Sequence, residues 1–176
     1  MRLHDDGTIS SDNPFPGSPV YSYGHRNPQG LAWDARGRLW NTEHGSSATD
    51  EVNLIVAGAN YGWPVVRGDE SAEGMRQPVL HSGDLTWAPS GATLVDGSLF
   101  FAGLRSQSLW RFHIDSQSTG PDRYLEGRFG RLRAVAAGDG NMLYICTSNR
   151  DGRGRPTADD DLIVRVDPTA LPTLSG

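Results

Sequence analysis

A repeated hairpin is the feature of this sequence that most constrains its fold. An apolar stretch, a Gly-containing turn and a second apolar stretch occur in three places, at residues 31–42, 93–102 and 134–146. Two of the turns carry Asp96-Gly97 and Asp139-Gly140, dipeptides that favour tight β-hairpins. Hairpins repeating at roughly 50 residues are typical of the blades of a β-propeller. A β-sandwich is the alternative that hairpins alone leave open.

A second repeat is a short strand with an Arg between apolar residues and an Asp just after it. Its copies are Arg2–Asp5, Trp110–Asp115 and Val164–Asp167, with a degenerate copy at Glu51–Val56. Residues 24–168 therefore predict three blades, and Arg2–Asp5 predicts the last strand of a preceding blade. Because propellers usually close with about 4 to 8 blades, we expect residues 1–176 to be the C-terminal part of a single all-β propeller domain whose N-terminal blades are absent.

Composition favours one fold class and disfavours some classes of partner. The chain has 22 Gly and 11 Pro, which suits a turn-rich β-protein better than a helical one. Its net charge of -5 argues against a nucleic-acid partner, which would favour a basic surface. No apolar run is long enough for a membrane span, and residues 1–6 do not open a signal peptide.

Two loops near the first hairpin concentrate polar residues. The first contains Arg26, Asn27 and Gln29, whose guanidinium and amides suit carboxylate or carbonyl oxygens. The second, residues 42–51, combines a Gly/Ser segment with carboxylates, as a hard cation such as Ca²⁺ requires. Polar turns that cap neighbouring loops, and solvated acids, are the respective alternatives. His44 lacks a second His or Cys at ligand spacing, which disfavours zinc.

Three arginines further along the chain form a second candidate group. Arg105 follows an apolar stretch, and Arg131 and Arg133 alternate at the start of another, where two guanidiniums on one face could hold an anion. Exposed surface charges are the alternative. The polar segments 149–154 and 159–161 favour a solvated loop, with a calcium loop as the minority interpretation.

Taken in order, these motifs resemble the glucose/sorbosone dehydrogenase family, which includes soluble glucose dehydrogenase and aldose sugar dehydrogenase. The matching segments are Tyr21–Leu31, Thr42–Gly45, Asp50–Ile55, Gly58–Pro64, Ala88–Gly91, Gly103–Arg105, Gly130–Arg133 and Thr147–Gly152. They cover nearly the whole chain. Ser46 stands where the family commonly has Pro, and Arg105 where some members have Lys, which changes loop rigidity and cation geometry respectively.

The resemblance implies a six-bladed propeller that binds pyrroloquinoline quinone (PQQ) and calcium and oxidises an aldose to its lactone. By position, the expected PQQ residues are Arg26 and Asn27 at the quinone oxygens, Gln29 in support, and Thr86, Arg105, Arg131 and Arg133 at the carboxylates. Arg26 also has the catalytic role of stabilising the charge that grows during hydride transfer. Carbonyls of Gly45 and Ser46 would bind the active-site calcium, whereas Glu51 and Tyr61 match a second, structural calcium site.

The resemblance also implies a catalytic His in the earlier blades, and none of the five His here substitutes for it. It further implies a periplasmic or secreted location, an aldose substrate, an unspecified electron acceptor and a possible homodimer. Two other functions stay open: a non-catalytic interaction module and a calcium-dependent lactonase-like propeller. Unpaired cations at strand ends, such as Arg131 and Arg133, are expected to disfavour the interaction module.

Overall fold

The chain folds into three antiparallel sheets. The computed structural model describes residues 1–115 and 120–172. The first sheet contains β1 (Pro28–Trp33), β2 (Leu39–Glu43), β3 (Glu51–Ile55) and β4 (Leu80–His81). The second contains β5 (Pro89–Val95), β6 (Ser98–Gly103), β7 (Ser108–His113) and β8 (Asp122–Tyr124), and the third contains β9 (Leu132–Ala137), β10 (Leu143–Thr147) and β11 (Ile163–Val166). Two 3-10 helices, Asp139–Asn141 and Pro168–Ala170, complete the elements of the described ranges.

Each sheet is an up-and-down meander in which consecutive strands pair. The strand orders are β1-β2-β3-β4, β5-β6-β7-β8 and β9-β10-β11. The first strands of the sheets lie side by side, β1 against β5 and β5 against β9, as the inner strands of propeller blades do. This arrangement confirms the predicted all-β propeller, of which this chain supplies three blades.

The hairpin turns require residues with left-handed backbone conformations, and the Asp-Gly dipeptides predict these positions in one turn but not entirely in the other. Asp96 (φ 46°) and Gly97 (φ 69°) are both left-handed, so the predicted two-residue turn between β5 and β6 is confirmed. In the β9–β10 hairpin the left-handed pair is Gly140 (φ 63°) and Asn141 (φ 61°), inside a 3-10 turn. The hairpin is therefore confirmed, but its reversal comes one residue later than the Asp139-Gly140 signal suggests.

The hydrophobic core lies between the sheets in two layers that share β6. Leu99 and Phe101 point into the layer against the first sheet, together with Trp40, Val52 and Trp110. The intervening residues of β6 point the other way, into the layer against the third sheet. All six residues of β6 are buried, because the second sheet is covered on both faces.

The N-terminal segment differs from the prediction. Leu3 makes a single antiparallel bridge with Ile9, and Arg2 N donates to Pro19 O at 2.7 Å. Arg2–Asp5 is therefore not a strand in this structure, because a strand requires a neighbouring strand for its backbone hydrogen bonds. Its assignment to a preceding blade stays a prediction. Among the described residues, no helix is long and apolar enough to cross a membrane.

Candidate functional site

The predicted site residues lie at one end of the blades. Thr86 precedes β5, Arg105 follows β6 and Arg131 precedes β9. In an antiparallel meander the start of one strand and the end of the next meet at the same edge, so these loops converge. They line a cleft of about 430 Å³. Its other lining residues are His44, Ala88, Leu104, Gln107 and Arg153.

Arg131 is the most firmly held cation of the cleft. Its Nε and Nη2 donate to Asp151 Oδ2 at 3.1 and 2.9 Å, and its Nη1 donates to Leu104 O at 3.3 Å. Arg133 Nη2 lies 3.6 Å from the same Asp151 oxygen. The two arginines thus share one side, as strand alternation predicts. The expectation that they are unpaired is wrong, because the loop after β10 supplies a carboxylate between them.

That loop is built around Asn149, a buried residue whose positioning role the sequence analysis did not identify. Asn149 is 3% exposed, and its Oδ1 accepts from Arg131 N at 2.8 Å. Its Nδ2 donates to Asp160 Oδ1 at 2.8 Å and to Phe129 O at 2.9 Å. Most of the loop is exposed, as the solvated-loop interpretation predicts, but Asn149 is buried and joins the loop to the start of β9. The available signal was the Asn-Arg-Asp-Gly order directly after a strand, typical of side chains that bind backbone groups.

Asp151 is held as a carboxylate. The backbone N–H of Arg153 donates to its Oδ1 at 2.9 Å, and Arg131 donates to Oδ2. These hydrogen bonds, the Arg153 one foremost, lower the pKa of Asp151 from its usual value. A negative charge of the protein's own therefore lies directly against Arg131, one of the arginines that line the cleft.

The Arg26 loop reaches the cleft through His44. Arg26 Nη1 donates to His44 O at 3.3 Å, and its guanidinium lies over the Trp63 ring at 5.3 Å. His44 N in turn donates to Asn27 O at 3.1 Å. Gln29 Nε2 donates to Asn27 Oδ1 at 2.8 Å, in keeping with the predicted supporting role of Gln29. Neither amide belongs to the residues that line the cleft.

A second, much smaller cavity lies on the other side of His44. It measures about 10 Å³, room for about one water-sized occupant. Its lining includes all four residues predicted to bind metal, Gly45, Ser46, Glu51 and Tyr61, together with Arg26, Glu43, His44, Trp63, Val66 and Arg67. The structure thus brings the two predicted calcium groups to a single cavity. We call this the oxygen cavity.

Two buried carboxylates and an amide make the oxygen cavity electrostatically unusual. Asn53, fully buried, lies between Glu43 and Glu51, with its Nδ2 3.4 Å from Glu43 Oε1 and 3.3 Å from Glu51 Oε2. Burial, and next to it the negative charge of Glu43, raise the pKa of Glu51 to about 7, although hydrogen bonds from Gly68 and Asn53 act against this. The site therefore disfavours carrying both negative charges in the absence of a cation.

Two side-chain oxygen atoms of these residues are buried without a hydrogen-bond partner. They are Glu43 Oε2 and Asn53 Oδ1. His25 Nδ1 lies 3.3 Å from Glu43 Oε2 but without the alignment of a hydrogen bond. Tyr61 stacks on the His25 ring at 4.6 Å, and its hydroxyl donates to Leu54 O at 2.6 Å. Carboxylate and carbonyl oxygens are the groups that Ca²⁺ prefers, and the cavity presents Glu43, Glu51 and the Gly45–Ser46 segment. Arg26 and Arg67 also line it, and the part of the chain that the structure describes has no cluster of three His, Cys, Asp or Glu for a metal ion.

Three adjacent meander sheets, with an arginine-lined cleft at one end, place the chain among β-propellers. The glucose/sorbosone dehydrogenase family model matches residues 1–164, so the chain belongs to that family. The resemblance that the motifs indicated is thereby confirmed.

Solved structures of the family share this architecture. The PQQ-bound aldose sugar dehydrogenase of Streptomyces coelicolor superposes with a TM-score of 0.88 at 46% identity and covers 94% of this chain. An oxidoreductase of Thermus thermophilus, described as a glucose dehydrogenase, gives a TM-score of 0.84 at 41% identity over 91% of the chain. The aligned part is 50% and 52% of those two chains.

Two curated relatives match this chain over most of its length. The aldose sugar dehydrogenase YliI of Escherichia coli is 31% identical over 86% of this chain and 48% of its own length. An uncharacterised Synechocystis protein, slr1608, is 35% identical over 87% of this chain and 43% of its own length. The chain spans about half the length of these relatives.

Proposed function

We propose that this chain is the quinone-binding part of a PQQ-dependent sugar dehydrogenase that oxidises an aldose to its lactone. The observation that carries the proposal is the cleft in which Thr86, Arg105 and Arg131 meet. Membership of the family supports it, as does the likeness to the PQQ-bound Streptomyces enzyme.

The cleft fits PQQ in charge and size. PQQ has three carboxylates, which require several cations once they leave water. Arg105 is exposed in the cleft, and three of the five N–H groups of Arg131 are used by Asp151 and Leu104, which leaves two for a ligand. A volume of about 430 Å³ lies within the usual range for small-molecule sites. Arg131, Arg105 and Thr86 would hold the carboxylates, with Arg133 beside them.

The chain's own residues would bind the cofactor and stabilise charge. Bound PQQ supplies the quinone that accepts a hydride from the sugar. Arg26, held by the His44 carbonyl and the Trp63 ring, provides a fixed cation for the negative charge that develops on this acceptor. In this proposal the base that removes the sugar hydroxyl proton is the His of the earlier blades implied by the family resemblance.

We further propose that the oxygen cavity binds one Ca²⁺. Glu51 and the unpartnered Oε2 of Glu43 would supply carboxylate ligands, and the Gly45–Ser46 segment would supply carbonyls. A divalent cation would offset the two neighbouring carboxylates, whose mutual repulsion contributes to the raised pKa of Glu51. The hydroxyl of Tyr61 is already bound to Leu54 O and accepts from Val56 N, so it is the main chain of Tyr61 that we expect to face the ion.

Cofactor titration of the purified chain tests the quinone proposal. Removal of a cation should weaken PQQ binding by about tenfold or more, since a desolvated carboxylate loses its charge-assisted partner. Arg105→Ala is the clean variant because Arg105 is exposed. Arg36→Ala is the matched control, an exposed arginine paired with Asp115 away from the cleft. Tryptophan fluorescence measures the dissociation constant. Equal constants for the Arg105→Ala and Arg36→Ala variants would overturn the carboxylate assignment.

Metal titration tests the calcium proposal separately. Ca²⁺ should raise the melting temperature of the wild type through ordinary linkage, and Glu51→Gln should abolish the increase. Glu126→Gln is the control, because Glu126 is exposed and pairs with Arg123 at 2.9 Å, and neither residue lines the cavity. Zinc should stabilise less than calcium. Stabilisation by zinc that His44→Ala abolishes would contradict an oxygen site.

Location and partners remain proposals of the same kind. We propose a periplasmic or secreted protein that acts on an aldose, with an unspecified electron acceptor and a possible homodimer. Fractionation of the source cells would test the location, and equilibrium sedimentation the association. The paired state of Arg131 and Arg133 removes the expected argument against a non-catalytic interaction module, so PQQ binding itself has to decide between the two functions.

A further inference from the structure

The carboxylate of Asp151 lies between Arg131, which lines the cleft, and Arg133, which lies beside it outside the lining. Its Oδ2 accepts from Arg131 at 2.9 and 3.1 Å and lies 3.6 Å from Arg133. The Arg131 side chain is only 9% exposed, whereas those of Asp151 and Arg133 are 21% and 47% exposed. The charge most deprived of water is therefore that of Arg131, and Asp151 is its direct counter-ion.

We propose that Asp151 is a built-in counter-anion, which stabilises the ligand-free cleft and at the same time limits how tightly the cleft binds the carboxylates of its ligand. The inference rests on the proposed function for the identity of that ligand. It concerns a positioning residue, because Asp151 acts through the two arginines.

The balance of charge among Arg131, Arg133 and Asp151 determines both effects. The cluster of Arg131, Arg133 and Asp151 has a net charge of +1, where its two arginines alone would have +2. Arg105 and Arg153 of the cleft lining add the same charge with or without Asp151. Removing the Asp151 charge leaves Arg131 buried without a counter-ion, which destabilises the ligand-free protein. A ligand carboxylate can restore that pairing, so the same change strengthens anion binding. A residue with a merely structural role would weaken stability and binding together.

The test compares Asp151→Asn with a matched control at low salt. Asp115→Asn is the control, because Asp115 Oδ1 likewise accepts from two arginines, Arg36 at 3.1 Å and Arg38 at 3.2 Å, outside the cleft. The probes are citrate at millimolar concentration, as a plain tricarboxylate, and PQQ. Melting temperature without ligand and dissociation constants from tryptophan fluorescence are measured for each protein.

Asp151→Asn is expected to change stability and ligand binding in opposite directions. Asp151→Asn should lower the melting temperature of the ligand-free protein and tighten citrate and PQQ binding by about fivefold, as loss of a like charge nearby predicts. Asp115→Asn should leave both dissociation constants unchanged. Asp151→Glu, which keeps the charge, should restore weak binding. If Asp151→Asn is unfolded alone, citrate should restore its folding.

The outcomes separate the inference from the proposed function. Weaker or unchanged citrate binding by Asp151→Asn, or failure of citrate to rescue an unfolded variant, overturns the counter-anion role. Absence of citrate binding to every protein overturns it as well. Tighter citrate binding with no saturable PQQ binding supports the counter-anion role and overturns the quinone function.

Discussion

The two faces of the first sheet differ sharply in burial. Trp40 of β2 is 2% exposed and packs in the core layer against the second sheet, with its ring 6.3 Å from that of Phe112. Trp33 of β1 is 62% exposed on the other face. The two residues lie on neighbouring strands, since Trp33 pairs with Leu39. The first sheet therefore has one face that packs against the second sheet and one face that is open to solvent. We call them the finished face and the exposed face.

The exposed face is apolar and forms a groove. Leu31 is 54% exposed and Val56 39%, and both line, with Trp33 and Tyr21, a groove of about 560 Å³. In β1 the exposed Leu31 and Trp33 alternate with the buried Gly30 and Ala32. Alternation with apolar residues on both faces is typical of a strand covered on both sides. The two faces therefore differ in what covers them and not in their apolar character.

The largest effect should come from replacing the buried tryptophan. Trp40→Ala should lower the free energy of unfolding by about 3–5 kcal/mol, because it empties a core position. Trp33→Ala should change it by less than about 1 kcal/mol, since most of that side chain is already in water. Chemical denaturation measured by circular dichroism gives both values. Similar losses for the two variants would contradict the difference between the faces.

Association of the chain should depend on the exposed face. Because a contiguous apolar surface promotes association, we expect concentration-dependent self-association of the wild type in analytical ultracentrifugation. Leu31→Glu should weaken it by about tenfold, a change of about 1.4 kcal/mol. Val65→Glu is the control, because Val65 is 66% exposed but lies outside the groove. A monodisperse wild-type monomer would count against the role of this face.

Much of this fold could be predicted from sequence because blade strands are local. The hairpins at residues 31–42 and 93–102 carry their own turn signals, so β1–β2 and β5–β6 were predictable. Arg2–Asp5 shows the limit. Its pattern is that of a blade strand, yet a strand forms only where a neighbour supplies hydrogen bonds, and in this chain Leu3 meets only Ile9.

The site was predictable to a similar degree and for a similar reason. Thr86, Arg105 and Arg131 each follow or precede a recognisable strand, and blade topology brings them to one cleft. Contacts between side chains of different loops were not predictable. The Asp151 carboxylate reaches Arg131 across 20 positions of sequence, and Asn53 lies between Glu43 and Glu51 only because β2 and β3 pair.

A smaller effect is expected from Thr42, which joins the finished face to the second sheet. Thr42 is fully buried, its Oγ1 donates to Ser90 O at 3.1 Å, and it accepts from Gly30 N at 3.2 Å. Thr42→Val keeps the shape but leaves a buried carbonyl and N–H without this partner, which should cost about 1–2 kcal/mol. Thr93→Val, at a less buried hydroxyl, is the control. Equal denaturation midpoints for the two variants would contradict a stabilising contribution from the Thr42 hydrogen bonds.

The smallest effect concerns Asp34, which anchors Trp40 at the finished face. Asp34 Oδ2 accepts from Trp40 Nε1 at 3.1 Å and from Arg38 Nε at 2.5 Å, and Oδ1 accepts from the backbone N–H of Arg36 and Arg38 at 2.9 Å. Burial raises the pKa of Asp34, but these hydrogen bonds outweigh burial and lower the pKa to about 2. A lowered pKa means that the unfolded chain binds the proton more readily.

The contribution of Asp34 to stability is therefore present above the unfolded pKa of 3.8 and is lost as the pH falls through about 2. Asp34→Asn should lower the melting temperature at pH 7 by about 2–4 °C, the equivalent of about 1 kcal/mol for a chain of this size. Its melting temperature should also fall less steeply than that of the wild type between pH 4 and pH 2, a window set by the two pKa values. Asp167→Asn is the control, since the pKa of Asp167 is also lowered but its carboxylate binds only the local Thr169 turn, away from Trp40. If the melting temperatures of the wild type and Asp34→Asn fell equally between pH 4 and pH 2, the Asp34 carboxylate would not stabilise the finished face through its hydrogen bonds.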